Sequence, residues 1–380
     1  MKTKMTFYPV GNGDCNLLEI KNGPKILFDC KFITEAEEEN SDKFNVIKDL
    51  LNNKLKNKRK GLPFLDAFIL SHADQDHCLN FKEKFYLGDP DNISDDDKSN
   101  KKILIGELWY SPRVILDHKD EKCEDANAFT KEAKRRMQLY KDGSKEADKD
   151  GNRIRIIGWT DDDCLEGIPD DIITVPKHEI SEVNGKNYKN FRMYIHAPFK
   201  DHIENEDRNQ TSIVMQIRID TDKKVDAGKM VLGGDAEWPV WEKIMNSTNK
   251  EDEFTLEWGL FEAPHHCSYT YFNDDRDKDP KQTSLDFLDK REDNAFLVSS
   301  SKLILKNSDN PPCQKAKNRY TERVGEDNFF CTAGDSKDED EKPVVFVLDD
   351  GGFCLEDDVE EEKEETKSRA ENNSRPHVYG

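Results

Sequence analysis

The chemistry in this chain is concentrated in one heptapeptide, Ser71-His72-Ala73-Asp74-Gln75-Asp76-His77. Five of its seven side chains can ligate a cation or orient a ligand. Imidazoles and carboxylates at this density suit zinc, iron or manganese. The preceding residues, Phe64-Leu65-Asp66-Ala67-Phe68-Ile69-Leu70, form an apolar, bulky run that reads as a buried strand. The donors therefore leave the end of a rigid element, which can hold several of them in fixed positions around one ion. Leu79 is placed to begin a helix. A polar surface loop that merely contains two His and two Asp is the plainer alternative, and donor-like positions further along the chain argue against it.

Those positions fall in three more stretches. Ile26-Leu27-Phe28-Asp29 is a strand-like run that ends in a carboxylate. Met230-Val231-Leu232-Gly233-Gly234-Asp235-Ala236-Glu237 is an apolar run that ends in a glycine turn and an acid. Ala263-Pro264-His265-His266-Cys267-Ser268 follows the strand-like Trp258-Gly259-Leu260-Phe261-Glu262. The heptapeptide resembles the HxHxDH motif of the metallo-β-lactamase superfamily, with Asp74 in the place of the second His. The other three stretches resemble, in the same order, that superfamily's supporting Asp, metal-bridging Asp and late HHGS turn. The branch most similar is the hydrolase domain of the competence DNA-uptake protein ComEC, which also begins with a VGxGD-like turn, here Val10-Gly11-Asn12-Gly13-Asp14. The resemblance spans roughly residues 5–300.

The resemblance implies an α/β fold, a metallo-β-lactamase-like αββα four-layer sandwich, and a site for two divalent metal ions. It implies a first position made of His72, Asp74 and Asp235 and a second made of Asp76, His77, Asp235 and His265. Asp235 would bridge the two, and Asp76 would also orient the attacking hydroxide. Asp29 is expected to support the metal loop by accepting a hydrogen bond. Asn209 or a neighbour stands where the wider superfamily has a further ligand His, which leaves the first position one imidazole short. That deficit makes the site carboxylate-rich and favours manganese, with zinc or magnesium as alternatives. His265 is read as the ligand and His266 as a neighbour facing substrate, although the sequence alone does not choose between them. His196, at the end of Arg192-Met193-Tyr194-Ile195-His196, resembles a His-Pro turn of the same branch and is a second candidate acid or substrate contact. Asn310-Pro311-Pro312-Cys313 stands where that branch carries a late Asn…His-Pro segment and has no His.

Length and composition bound the elements that must position these groups. The chain has 380 residues, enough for one large core. Charged residues make up 36% and hydrophobic ones 34%, so long polar excursions are expected. No run of about 18 apolar residues is present, and no membrane partner is expected. Nine cysteines without CxxC pairs read as reduced thiols, which suits a cytoplasmic protein. The organisation expected is a hydrolase domain over 1–355, interrupted by a charged insert at about 88–190 that caps the site mouth. A disordered acidic tail follows at 356–380. The basic runs Lys54–Lys60 and Lys134-Arg135-Arg136 read as solvated helix faces.

Two cations sharing a carboxylate can bridge and activate a water molecule, and a metal-bridged hydroxide can attack phosphorus or a carbonyl carbon. The expected activity is thus a metal-dependent hydrolase, specifically a phosphodiesterase or nuclease acting on a nucleic-acid or nucleotide substrate. The net charge of −22 opposes a polynucleotide substrate unless a local basic channel or a partner protein supplies the grip. A small nucleotide or a carbonyl substrate is the alternative within hydrolases. A non-catalytic, partner-gated module is the alternative outside them. A soluble version of such a domain also suits bacterial antiviral defence, with an ATPase as the expected partner.

Overall fold

The computed structural model describes residues 2–116, 122–204, 207–308, 310–336 and 341–356. It is an α/β protein built on two large mixed sheets. The first has ten strands, including Lys4–Phe7, Asn16–Glu19, Lys25–Phe28, Leu62–Ile69, Leu104–Tyr110 and Arg153–Ile157 as consecutive neighbours. The second has seven, in the order Glu179–Ile180, Phe191–Ala197, Val214–Ile219, Gly228–Leu232, Trp258–Glu262, Arg291–Ser299 and Phe329–Cys331. Each sheet changes from antiparallel to parallel pairing partway across. In the first, the change falls at Lys25–Phe28, which pairs antiparallel with Asn16–Glu19 and parallel with Leu62–Ile69. In the second it falls at Gly228–Leu232, antiparallel to Val214–Ile219 and parallel to Trp258–Glu262. In open sheets of this kind, ligand sites form beyond the carboxyl ends of parallel strands. All four motif stretches leave such ends.

The period-two alternation of strand side chains decides which face meets which partner. Ala67 and Ile69 join Met5, Leu18, Phe28, Met193, Met215, Ile217, Met230 and Leu260 in one cluster, which lies between the sheets. Phe68 points the other way, into a second cluster with Phe81, Phe129, Ala133, Met137 and Tyr140. Those last four lie on the helix Glu124–Lys141, at helical spacing, so its apolar stripe packs on the outer face of the first sheet. Val231 and Phe261 point outward from the second sheet onto Trp241 and Ile244 of the helix Trp238–Ser247, and onto Phe287 of Gln282–Leu288. No helix among the described residues is long and apolar enough to cross a membrane.

The 88–190 segment does not stand apart as a cap. Its strand Leu104–Tyr110 is buried at every position and lies parallel to Leu62–Ile69, and Arg153–Ile157 continues the same sheet. Its long helix supplies that sheet's outer cover. The reason is burial: seven consecutive shielded positions need neighbours on both faces and both edges, which a surface excursion cannot offer. The helix Gln314–Val324 was not anticipated from the sequence, and it packs against the second sheet through Ala316 and Tyr320. The acidic tail, beyond Glu356, lies outside the described residues.

One basic run departs from the expected solvated face. Arg136 is 1% exposed. Its Nε donates to Glu132 Oε1 at 2.8 Å, and its Nη atoms donate to the carbonyls of Ile105 and Arg153 at 3.2 and 3.1 Å. The guanidinium thus caps backbone acceptors on the sheet it covers. Arg136→Met leaves the Ile105 and Arg153 carbonyls without their side-chain donor, while Glu132 keeps its pair with Arg135; the fold should be destabilised by about 1–3 kcal/mol. Arg136→Lys, which keeps the charge but not the planar fork, should recover only part of the loss. Urea denaturation of both variants checks this, and equal stability of Arg136→Met and wild type would refute it.

Candidate metal centre

The centre is assembled at the seam between the two sheets. Asp235 is its middle. It follows Gly228–Leu232 and is 3% exposed. Its two oxygens face different groups. Oδ1 lies 3.1 Å from His77 Nε2 and 3.4 Å from His266 Nε2. Oδ2 lies 3.7 Å from His72 Nε2 and 3.6 Å from His265 Nε2. Asp76 Oδ2 completes the first group at 3.3 Å from His266 Nε2, and Asp74 Oδ2 lies 3.8 Å from His72 Nε2. Donors held at about 2.1 Å from a tetrahedral ion stand about 3.4 Å from one another, so both spacings suit an ion.

Four atoms make the fit test sharper. His72 Nε2, His77 Nε2, His266 Nε2 and Asp235 Oδ1 are buried and make no hydrogen bond. Buried polar atoms are paired as a rule, and four unsatisfied ones gathered around Asp235 call for partners. A cation on the Oδ1 side would satisfy three of them and one on the Oδ2 side would satisfy His72, so the residues fit divalent metal. The two sets differ in compactness. The triads Asp76–His77–His266, His72–His77–Asp235 and Asp14–Asp235–His266 each have donors within 4.8 Å of one another, whereas Asp74 and His265 belong to no such triad. Arg208 Nη1 also donates to Asp74 Oδ1 at 3.0 Å, which draws that carboxylate outward.

Electrostatics report the same crowding. Burial penalises the charge on Asp235, but the imidazoles of His266, His77 and His265 outweigh it and hold the carboxyl well below its ordinary range. Asp76 is likewise lowered, by His266 and His77, against its own burial. Burial lowers His266, yet Asp235, Asp14 and Asp76 carry it up to about 10. His77 is raised by Asp235 and Asp29 in the face of burial, while burial and the neighbouring His77 lower His72. The protons that the raised imidazoles hold occupy the place of a metal and would be displaced by one.

The buttress behind the donors is explicit. Asp29 Oδ1 accepts the Ser71 N–H at 2.7 Å, and its Oδ2 accepts Ser71 Oγ–H at 2.6 Å and His77 Nδ1–H at 2.8 Å. Ser71 Oγ, its hydrogen committed to Asp29, accepts from His72 Nδ1 at 3.0 Å. Both imidazoles are thereby fixed with Nε2 forward, the second-sphere pattern that orients metal-binding histidines. Gly234 adopts φ 48°, and a Cβ there would meet Ser71 Cβ at 2.9 Å, so only glycine lets the Asp235 turn reach the metal loop. Gly13 is equally constrained: at φ 144° a Cβ would lie 2.6 Å from the Asp76 carbonyl.

Most of the sequence-derived residues meet here, with three corrections. His265 was expected in the second set with His266 facing substrate. Instead His266 joins Asp76 and His77, and His265 stands on the opposite oxygen of Asp235. Residues 265–267 have φ of 51°, 51° and 63°, and this left-handed turn sends the two rings to opposite sides of one carboxylate. His265 thereby supplies the imidazole that the first set was expected to lack. His196 is not at the centre: it is 4% exposed, with Nε2 2.9 Å from the Thr255 carbonyl. Burial lowers its pKa to about 4, which keeps the ring neutral. Asn209 contributes its backbone, accepting from Ser212 N–H at 3.1 Å, whereas its neighbours Arg208 and Ser212 reach the donors. Ser212 Oγ accepts the Asp235 N–H at 3.2 Å and lies 3.4 Å from His72 Nδ1.

Two supporting residues escaped the sequence reading. His266 Nδ1 accepts the Gly13 N–H at 3.1 Å and lies 3.4 Å from Asp14 Oδ1, so the VGxGD-like turn backs the second set. Asn310 Oδ1 accepts from Ser268 Oγ at 3.0 Å and Tyr269 N at 2.7 Å, pinning the turn that carries the two His. Asp14 was visible in its motif but was given no role, and Asn310 was examined only for a missing His.

No family model matches the chain, and no curated protein matches it. Among solved structures, an isothiocyanate hydrolase from Delia radicum gut bacteria is similar at 13% identity and a TM-score of 0.40, over 90% of this chain and 99% of that one.

If the sets divide as described, His266→Ala should remove the tighter of two metal-binding events. His265→Ala should weaken only the looser one, each by about 10–100-fold or more. Calorimetric titration of metal-free protein with Mn2+ checks this, and identical effects of the two substitutions would contradict the division.

Proposed function

We propose that this chain is a metal-dependent phosphodiesterase with a metallo-β-lactamase-like αββα four-layer sandwich, allied to the ComEC-like hydrolase branch. Two sheets facing one another, with helices packed on each outer face, support the fold reading. The functional reading is carried by one observation: Asp235 turns each of its oxygens to a separate set of two imidazoles and one further carboxylate. Asp76, His77 and His266 would hold one cation with Oδ1, and His72, Asp74 and His265 would hold the other with Oδ2. The equal mix of oxygen and nitrogen donors suits manganese, with zinc the alternative.

A bound pair of divalent ions supplies Lewis acidity at both the attacking and the leaving oxygen of an in-line displacement. The protein's own part is geometric and electrostatic. Asp29 and Ser71 fix the tautomers of His77 and His72. Asp14 backs His266. Arg208 faces Asp74 from outside the centre and adds positive charge on the substrate side, which favours a phosphate over a neutral carbonyl. His196 and His266 were the candidate proton donors to the leaving oxygen. His196 is bonded to a backbone carbonyl and His266 belongs to a donor set, so that proton comes from water.

The test is Mn2+-dependent hydrolysis of bis-p-nitrophenyl phosphate and of end-labelled single- and double-stranded DNA. Asp235→Asn should lose activity by on the order of 10²–10³-fold, with an unchanged circular dichroism spectrum. Hydrolysis of the small diester alone would assign a nucleotide-sized substrate. Full activity in Asp235→Asn, or no hydrolysis of any of the three by Mn2+-loaded wild type, would overturn the reading.

A further inference from the structure

The second donor set has a cationic rim that its metal ligands do not explain. Lys31 is half-buried, and its stem crosses Gly13, where an added Cβ would meet Lys31 Cδ. Its ammonium donates to the Asn12 carbonyl, a neutral acceptor. Lys302 is exposed and extends over Gly11, with Cγ 3.6 Å from where a Cβ there would stand. Asn12 ties the two together: its Oδ1 accepts the Lys302 N–H at 3.0 Å, while its Nδ2 donates to the Pro311 carbonyl at 3.0 Å. Two lysines from opposite ends of the chain are thus brought to one glycine turn beside Asp76.

Their surroundings are unusual for this protein. The chain carries 80 acidic and 58 basic residues, so a lysine generally finds a carboxylate. Among the described residues, neither Lys31 nor Lys302 has one within 4.0 Å. Burial, first, and the charge of Lys302 lower the Lys31 ammonium below its ordinary range, and the attraction of Asp76 and Asp14 only partly opposes them. The attraction offsets the repulsion only while Asp76 keeps its charge uncompensated. A cation held by Asp76, His77 and His266 would remove that offset and add a further positive charge near the two lysines. An anion among them relieves the repulsion.

We infer that Lys31 and Lys302 form an anion subsite at the second donor set that receives a phosphate group, filled after the cation. The inference rests on the phosphodiesterase reading for its role in turnover, where it would hold a non-bridging oxygen of the ester. It does not rest on that reading for binding itself. Phosphate, with several oxygens, can bridge two ammonium groups and a cation at once, which a neutral carbonyl substrate cannot do.

Inorganic phosphate is the probe. Calorimetry on Mn2+-loaded protein should show binding that falls about tenfold in Lys302→Ala and beyond detection in Lys31→Gln/Lys302→Ala. Mn2+ affinity should not fall in either variant, since each substitution removes a positive charge near the cation. Lys149→Ala, at an exposed lysine paired with Glu146, changes net charge as much as Lys302→Ala does and should leave phosphate binding intact. Unchanged phosphate binding in the double variant, equal weakening in Lys149→Ala, or no binding by wild type would each overturn the subsite. If wild type hydrolyses no phosphodiester yet loses phosphate binding in the lysine variants, the subsite stands and only the catalytic reading falls.

Discussion

A buried carboxylate shared by four imidazoles is the constraint around which this protein is built. Asp235 sits where water cannot solvate it, and burying an ionised group without partners is prohibitively costly. Its compensation must come from both sheets. His72 and His77 arrive from the end of Leu62–Ile69, and His265 and His266 from the end of Trp258–Glu262. The strand ends of the first sheet must therefore meet those of the second at one place. Gly234 lets that approach happen, because any side chain there would collide with Ser71. The ladder bond from Ile213 N–H to Ser71 carbonyl, 3.2 Å long, closes the same seam.

A second layer turns proximity into geometry. Asp29 holds Ser71 twice and His77 once, and Ser71 passes the constraint to His72. One carboxylate, itself at φ 54°, thus sets the direction of an imidazole in each donor set. Strain is concentrated here as well. Three consecutive non-glycine residues, His265, His266 and Cys267, hold left-handed backbone. Such conformations persist where surroundings over-determine them. Cys267 is buried in the outer cluster of the second sheet, and the Cys313 N–H bonds its carbonyl at 2.9 Å.

The donor loop, its strand, the supporting Asp29 and the acidic turn at Asp235 were legible in the sequence because each is a local pattern. An apolar run followed by a polar, donor-rich turn declares itself within ten residues. The strands that feed the motif stretches were legible for the same reason. What was not legible depends on distant partners. Whether His265 or His266 faces a given oxygen is set by the left-handed backbone at His265 and His266 themselves, which composition does not encode. His196 ends a strand as a ligand would, yet its fate is decided by the carbonyl of Thr255, 59 residues away. The charge of the 88–190 segment suggested a surface excursion, while Arg136 in fact serves as a buried cap on sheet carbonyls. Asp14 lay in a recognised turn but gains meaning only when His266 is brought beside it.

The most direct test of the shared-carboxylate account is anomalous diffraction from crystals grown with Mn2+. The account places an anomalous peak within bonding distance of Asp76, His77, His266 and Asp235 Oδ1. A second, weaker peak belongs beside Asp235 Oδ2, His72 and His265. A manganese-soaked crystal with no peak touching Asp235, or with both His265 and His266 on one ion, would contradict it.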